Sequence, residues 1–173
     1  MTELEELRAR VRILEDIESI RKLRNKYFRC LDGKLWDEIT DCFTEDVKTS
    51  YFNGEIKVDG REAVVNFFRI GLTDVLLAMH HGHHPEIEIT SETTARGMWE
   101  LFNYMIDTVN NRGQRISGVY QDEYVKENGQ WKIKSIVCNQ IFQENWDNKD
   151  IPSLQITVRG TPQYAATPSW RTK

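Results

Sequence analysis

Residues 94–142 read TARGMWELFNYMIDTVNNRGQRISGVYQDEYVKENGQWKIKSIVCNQIF. Apolar and aromatic side chains recur along this stretch with a period near two, the signature of β-strands. Asn110–Gly113 and Asn128-Gly129 interrupt it with residues suited to the tight backbone of hairpins. Three long strands are therefore expected, roughly Thr94 to Thr108, Gln114 to Lys126 and Trp131 to Phe142. A fourth, roughly His83 to Thr90, precedes them.

Working outward, the first part of the chain is helical. Leu4, Leu7, Val11, Leu14 and Ile17 recur at helical spacing, and Ile20, Leu23, Tyr27 and Leu31 continue the stripe. Gly33 supplies a stop. A second short helix fits Leu35 to Phe43, with Trp36, Ile39 and Phe43 on one face. Val47 to Tyr51 and Glu55 to Val58 read as a hairpin around Asn53-Gly54. Gly60 to Ile70 reads as a third helix that packs through Ala63, Val64, Phe67 and Phe68.

From about Asp147 the chain holds three of its four prolines. This part reads as an extended tail, 147–173, with one candidate strand at Leu154 to Val158. Residues 1–146 form the domain, of which 1–12 are a helical extension. Helices followed by strands argue for α+β rather than alternating βαβ. A curved antiparallel sheet then wraps the helices and leaves a cavity between the layers. On the strand Thr94 to Thr108, Trp99, Leu101 and Met105 share one face, and Met98, Phe102, Tyr104 and Ile106 share the other. A sheet with one solvated face would be polar there, so a partner subunit is expected to cover it.

The 173 residues suit one domain with a sizeable core. A net charge of -4 gives no electrostatic reason to expect nucleic acid. No apolar run approaches the roughly 20 residues that span a membrane, and the charged N-terminus lacks the apolar region of a secretory signal. Cys30, Cys42 and Cys138 are odd in number and lack CxxC spacing. They read as reduced core residues of a cytoplasmic protein.

The segment Met79-His80-His81-Gly82-His83-His84-Pro85-Glu86-Ile87-Glu88-Ile89 places four histidines in five residues. No HxxxH or HExxH helix accompanies them, so no metal site is expected. Counted by strand parity, His83 shares a face with Pro85, Ile87 and Ile89 and points inward. A buried imidazole needs a partner for its ring N–H. With a carboxylate as that partner it becomes a general base; with any other it is a core histidine.

Asp32 is the candidate partner, because an anion at a helix C-terminus is disfavoured by the macrodipole and needs local compensation. The alternative is an Asp-Gly turn in which Asp32 caps its own backbone. Tyr27 and Tyr51 are candidate donors to a ligand or plain core phenols. Asn103 shares parity with Trp99, Leu101 and Met105, and Gln140 with Ile136, Cys138 and Phe142. Both amides require hydrogen bonds if they point inward.

The run Lys26-Tyr27-Phe28-Arg29-Cys30-Leu31-Asp32-Gly33-Lys34-Leu35-Trp36-Asp37 resembles the SnoaL-like branch of the nuclear transport factor 2-like superfamily. So do Thr49-Ser50-Tyr51, Gly82-His83-His84-Pro85-Glu86-Ile87 and the strand from Thr94 to Tyr104. Among characterised members it resembles bile acid 7α-dehydratase. The resemblance implies a cone-shaped α+β barrel and a cofactor-free pocket for an apolar cyclic or steroid-like molecule. It also implies a homo-oligomer, a trimer in preference to a dimer. On it, His83 would be the base that removes a proton beside a carbonyl, and Asp32 would orient it. Tyr27 and Tyr51 would polarise the carbonyl, and Asn103, Gln140 and Trp99 would bind substrate.

Asn103 and Gln140 stand where that dehydratase has an aspartate and an arginine. A carboxylate and a cation have become neutral amides, which implies that the two positions are neighbours. Three readings stay open: a cofactor-independent lyase or isomerase, a binding protein without chemistry, and a structural subunit like the small subunit of ring-hydroxylating dioxygenases.

Overall fold

Helix α1 (Glu3–Asp32) is 30 residues long, and its two halves have different surroundings. The C-terminal half buries Ile20, Arg24, Tyr27, Phe28 and Leu31, the i, i+4, i+7, i+8 and i+11 positions of one face. The N-terminal half is exposed and begins at a capping box. There Glu5 N–H donates to Thr2 Oγ1 at 3.3 Å, and Thr2 N–H donates to Glu5 Oε2 at 2.7 Å. The computed structural model describes residues 2–156.

A short helix α2 (Trp36–Thr40) turns the chain into strand β1 (Phe43–Tyr51), so Phe43 belongs to a strand and not to the helix end expected for it. Phe52, Asn53 and Gly54 all have positive φ and form the turn into β2 (Ile56–Asp59). Helix α3 (Arg61–Gly71) packs Val64, Val65 and Phe68 onto the core. Four long strands follow: β3 (Leu76–Ile89), β4 (Thr94–Asp107), β5 (Arg112–Glu127) and β6 (Gln130–Asp147). The β5–β6 turn is Asn128-Gly129, both at positive φ, as a two-residue hairpin requires.

The six strands form one sheet in the order β2-β1-β6-β5-β4-β3. β2 and β3 are its two edges and do not pair, so the curved sheet is unclosed rather than a complete barrel. It is also mixed rather than antiparallel throughout, because β1 runs parallel to β6, with Thr49 opposite Ile136. The long run from β1 through α3 and the three strands of the meander brings β6 back beside β1 in the same direction. β3 and β6 are each longer than the alternation of apolar residues indicates. Leu154 to Ile156 are not in a strand, and the rest of the candidate strand at 154–158 lies outside the described residues. Among the described residues no helix is long and apolar enough to cross a membrane.

The core lies between the helices and the concave face of the sheet. Tyr27 meets Phe28, Phe43 and Phe68 edge-on, with ring centroids 5.3 to 6.1 Å apart. All three cysteines are free and buried, and burial raises their thiols, that of Cys30 to about 11. Beneath this aromatic layer lies a charged pair that is wholly shielded from solvent. Arg24 Nε sits 3.2 Å from Asp122 Oδ2, and both side chains have zero exposure. The guanidinium lies 4.2 Å from the ring centroid of Tyr120, 4.4 Å from that of Tyr27 and 4.7 Å from that of Phe28. Asp122 in turn accepts from Tyr124 Oη at 2.6 Å, and Tyr124 Oη accepts from Trp99 Nε1 at 2.9 Å.

Removing one charge of such a pair strands the other in a low-dielectric interior. Asp122→Asn is expected to cost about 3–5 kcal/mol, measured by urea unfolding, whereas replacing Arg24 and Asp122 together with apolar residues costs much less than twice that.

Candidate active site

Asp32 ends α1 and His80 lies on the edge strand β3, 48 residues later. Their side chains meet with Asp32 Oδ1 2.6 Å from His80 Nδ1, at 7% and 8% exposure. The His80 backbone N–H also donates to both carboxylate oxygens, at 3.1 and 3.0 Å. The anion that the macrodipole disfavours is thereby compensated by an imidazole and by the backbone of an edge strand, where no further strand competes for the N–H. The Asp-Gly capping alternative does not hold, since Gly33 N–H goes to Arg29 O at 3.0 Å. With Nδ1 donating to the carboxylate, Nε2 is the ring nitrogen that carries the lone pair.

His83 is not this histidine. It lies on the outer face of the sheet, exposed, with its ring stacked 5.5 Å from that of His81. The inward placement expected for it is overturned by a β-bulge. His83 pairs with Glu100 and Glu86 with Met98, so His84 and Pro85 together oppose Trp99 alone. His84 takes φ 46 there. One extra residue reverses the parity of the strand: Ile87 and Ile89 do point inward, and so do His80 and Gly82 on the other side of the bulge. Pro85 is the sequence signal for this, because a proline cannot donate to the ladder and marks bulges and edges.

His80 opens onto a cavity of about 320 Å³ between α1, α3 and the sheet. Tyr27, Leu31, Phe67, Phe68, Leu101, Met105, Ile116 and Tyr120 give it apolar and aromatic walls. Tyr51, Asn103, Gln114 and Gln140 add polar points, and among the described residues no lining side chain carries a fixed charge. Tyr27, Tyr51, Asn103 and Gln140 thus line one cavity, and Asn103 sits directly opposite His80 across the β3–β4 pair. Gln140 precedes a second bulge, at Ile141, which turns Phe142 to the outer face although simple parity groups the two. Trp99 does not line the cavity. It is buried behind it, where its indole N–H is taken by Tyr124. Gln114 and Tyr120 line the cavity without having been singled out by sequence; both lie on β5, whose inward face is plain once β4 is oriented.

Among the described residues the Asn103 amide oxygen has no hydrogen-bond partner, and the Tyr51 hydroxyl has none beyond the Tyr27 hydroxyl beside it. Burial raises the phenols of Tyr51 and Tyr120 well above 10 and that of Tyr27 likewise, the last partly offset by the cation of Arg24. They are neutral donors at every physiological pH.

Residues 12–137 match the family model of the SnoaL-like domain. The chain belongs to the SnoaL-like family. A candidate scytalone dehydratase from Novosphingobium aromaticivorans superposes with a TM-score of 0.72 at 21% identity, covering 88% of this chain and 96% of its own. Hexachlorocyclohexane dehydrochlorinase LinA-type3 from Novosphingobium barchaimii gives 0.73 at 15%, covering 86% and 98%. A candidate aromatic ring hydroxylase from Novosphingobium aromaticivorans gives 0.70 at 18%, covering 77% and 94%. At such identities the likeness is one of fold, the α+β arrangement common to SnoaL-like proteins.

Gly82 is the inward neighbour of His80, and a Cβ built on it would lie 2.4 Å from Phe28 Cε2. Phe28 also stacks on the His80 ring, at 6.5 Å between centroids. Gly82→Ala should therefore displace Phe28 and destabilise the fold by about 1–3 kcal/mol, read as a drop in Tm. The phenols give a second expectation. Their pKa values rise on folding, so stability is complete below pH 10 and declines as the pH climbs above 10, where only the unfolded chain ionises. Four of the six tyrosines, Tyr27, Tyr51, Tyr120 and Tyr124, should ionise only together with unfolding in an alkaline titration followed at 295 nm.

Proposed function

We propose that this SnoaL-like protein is a cofactor-independent lyase or isomerase acting on an uncharged, apolar cyclic carbonyl compound. The observation that carries the reading is the Asp32–His80 pair at the wall of an otherwise uncharged cavity. Asp32 fixes the tautomer and orientation of the imidazole and stabilises the imidazolium formed when His80 Nε2 takes a proton. A proton next to a carbonyl is the fitting target, because its loss leaves an enolate oxygen that the neutral phenols of Tyr27 and Tyr51 can bind. Departure of a β-hydroxyl as water then gives a dehydratase; return of the proton to another carbon gives an isomerase.

The composition of the cavity narrows the substrate. The free amide oxygen of Asn103 calls for a hydroxyl or N–H on the ligand. With no fixed charge in the wall, a carboxylate or ammonium would be desolvated without a partner. The exposed Met98, Phe102 and Phe142 on the outer sheet face support a homo-oligomer that covers this face. The dehydratase and dehydrochlorinase descriptions of the structural neighbours are in keeping with an eliminating reaction.

A second reading, a binding protein without turnover, is favoured by Asn103 and Gln140, since an amide is neither acid nor base near neutral pH. Assays of 3-oxo steroids and aromatic polyols on wild type, His80→Ala and His83→Ala separate the two. The enzyme reading expects water loss or double-bond migration that falls at least about 100-fold in His80→Ala and stays within about twofold in His83→Ala. Equal binding by all three proteins, with conversion by none, supports the binding protein instead.

A further inference from the structure

The exposed half of α1 carries an apolar stripe with no partner among the described residues. Leu4, Leu7, Val11 and Leu14 are between 43% and 65% exposed. At about 100° per residue they share one narrow face of the helix. Ala9, Arg12, Ile13 and Asp16 lie on the opposite face, where they line a cleft against Ile89 and Lys126 of the sheet. Asp16 fastens that face, accepting from Lys126 Nζ at 2.6 Å and Trp131 Nε1 at 2.9 Å. The helix thus rests on its domain by one side and turns the leucines away from it. Leu4, Leu7 and Val11 also precede residue 12, where the SnoaL-like match begins.

The spacing of the stripe is 3, 4, 3, which is the a, d, a, d order of two heptads. The flanking positions then decide which occupant fits. Glu3 and Arg10 occupy g, and Arg8 and Glu15 occupy e. In a parallel pair of identical helices each g residue meets the e residue five positions on in the partner. Both such contacts are of opposite sign here, Glu3 with Arg8 and Arg10 with Glu15. The antiparallel register that joins the same four apolar side chains instead brings Arg8 and Arg10 against their own copies.

We propose that Leu4, Leu7, Val11 and Leu14 form a parallel, two-heptad coiled-coil seam with the same helix of a second copy, locked by ion pairs between Glu3 and Arg10 and the facing Arg8 and Glu15. Two heptads are too short to fold and associate from an unfolded peptide. In this chain the helix is already formed, nucleated by its buried C-terminal half and closed by the Thr2–Glu5 capping box.

The test uses the full chain with a single new thiol, since the three native cysteines are buried. Leu7→Cys places two thiols face to face in the parallel seam. It should oxidise to a disulfide-linked dimer at least about tenfold faster than Glu6→Cys, which sits off the seam. In the Leu7→Cys background, Arg8→Glu should slow this several-fold, and adding Glu3→Arg should restore it to within about twofold, because the swap rebuilds both signs. Circular dichroism confirms that each variant keeps its helices. Equal oxidation of Leu7→Cys and Glu6→Cys overturns the proposal, and it is the result expected if copies join only through the outer sheet face or if residues 157–173 cover the stripe. A fast crosslink that ignores the charge swap overturns it as well.

Discussion

The contact between Asp32 and His80 ties the last residue of the longest helix to the edge of the sheet. The arrangement of the cavity depends on it. A helix of this length resting on a curved sheet has freedom to slide or tilt, and a carboxylate with three bonds to one residue removes that freedom. Tyr27, one and a half turns before Asp32, is thereby held against the β5 and β6 residues that face it. Phe28 is pinned between His80 and the bare backbone of Gly82. The Arg24–Asp122 pair performs the same service deeper down. It places a cation behind three aromatic rings, two of which form the cavity wall. Both contacts are expensive to desolvate; among the described residues the Arg24 guanidinium and Asp122 Oδ1 have no hydrogen-bond partner, so that pair rests on its opposite charges and on the surrounding rings. The two contacts favour one register of helix on sheet over its neighbours.

Much of this was legible in the residues, because most of it rests on periodicity. The helical spacing from Leu4 to Leu31 and the alternation from Thr94 to Phe142 are long, regular signals, and they place Tyr27, Asn103 and the strand turns correctly. Asp32 was also legible as an anion in need of a partner, from its place at a helix end. The identity of that partner was not. His80 faces inward and His83 outward, rather than the reverse, because one extra residue sits between His83 and Glu86, and a parity count carried back from Ile87 and Ile89 has no memory of such an insertion. Gln140 and Phe142 are separated by the same device on β6. Trp99 points inward as its strand requires, but inward means toward Tyr124 rather than toward the cavity, and that distinction belongs to the depth of packing. The parallel pairing of β1 with β6 is likewise a matter of chain path, which local patterns do not encode.

The cavity is chemically sparse. Its walls are aromatic and aliphatic, its donors are phenols held neutral by burial, and its amides add direction without charge. A base in such a place would have no fixed charge on the described lining residues to compete with it. The frame supplies the helix end, the edge strand and the cavity between the layers, and a fold by itself does not fix which ligand enters.

The edge position of β3 has a cost that the same contact offsets. A 14-residue strand with an open flank is a template on which another chain can add itself, the first step toward fibrous or amorphous deposits. Here Asp32 occupies the His80 N–H, Lys34 Nζ donates to the Leu76 carbonyl at 3.1 Å, and the His84-Pro85 bulge kinks what lies beyond. The carboxylate that orients the imidazole is thus also a guard against strand addition. Protection of the edge does not depend on any reaction, so Asp32 has a structural use whether or not the imidazole beside it acts as a base.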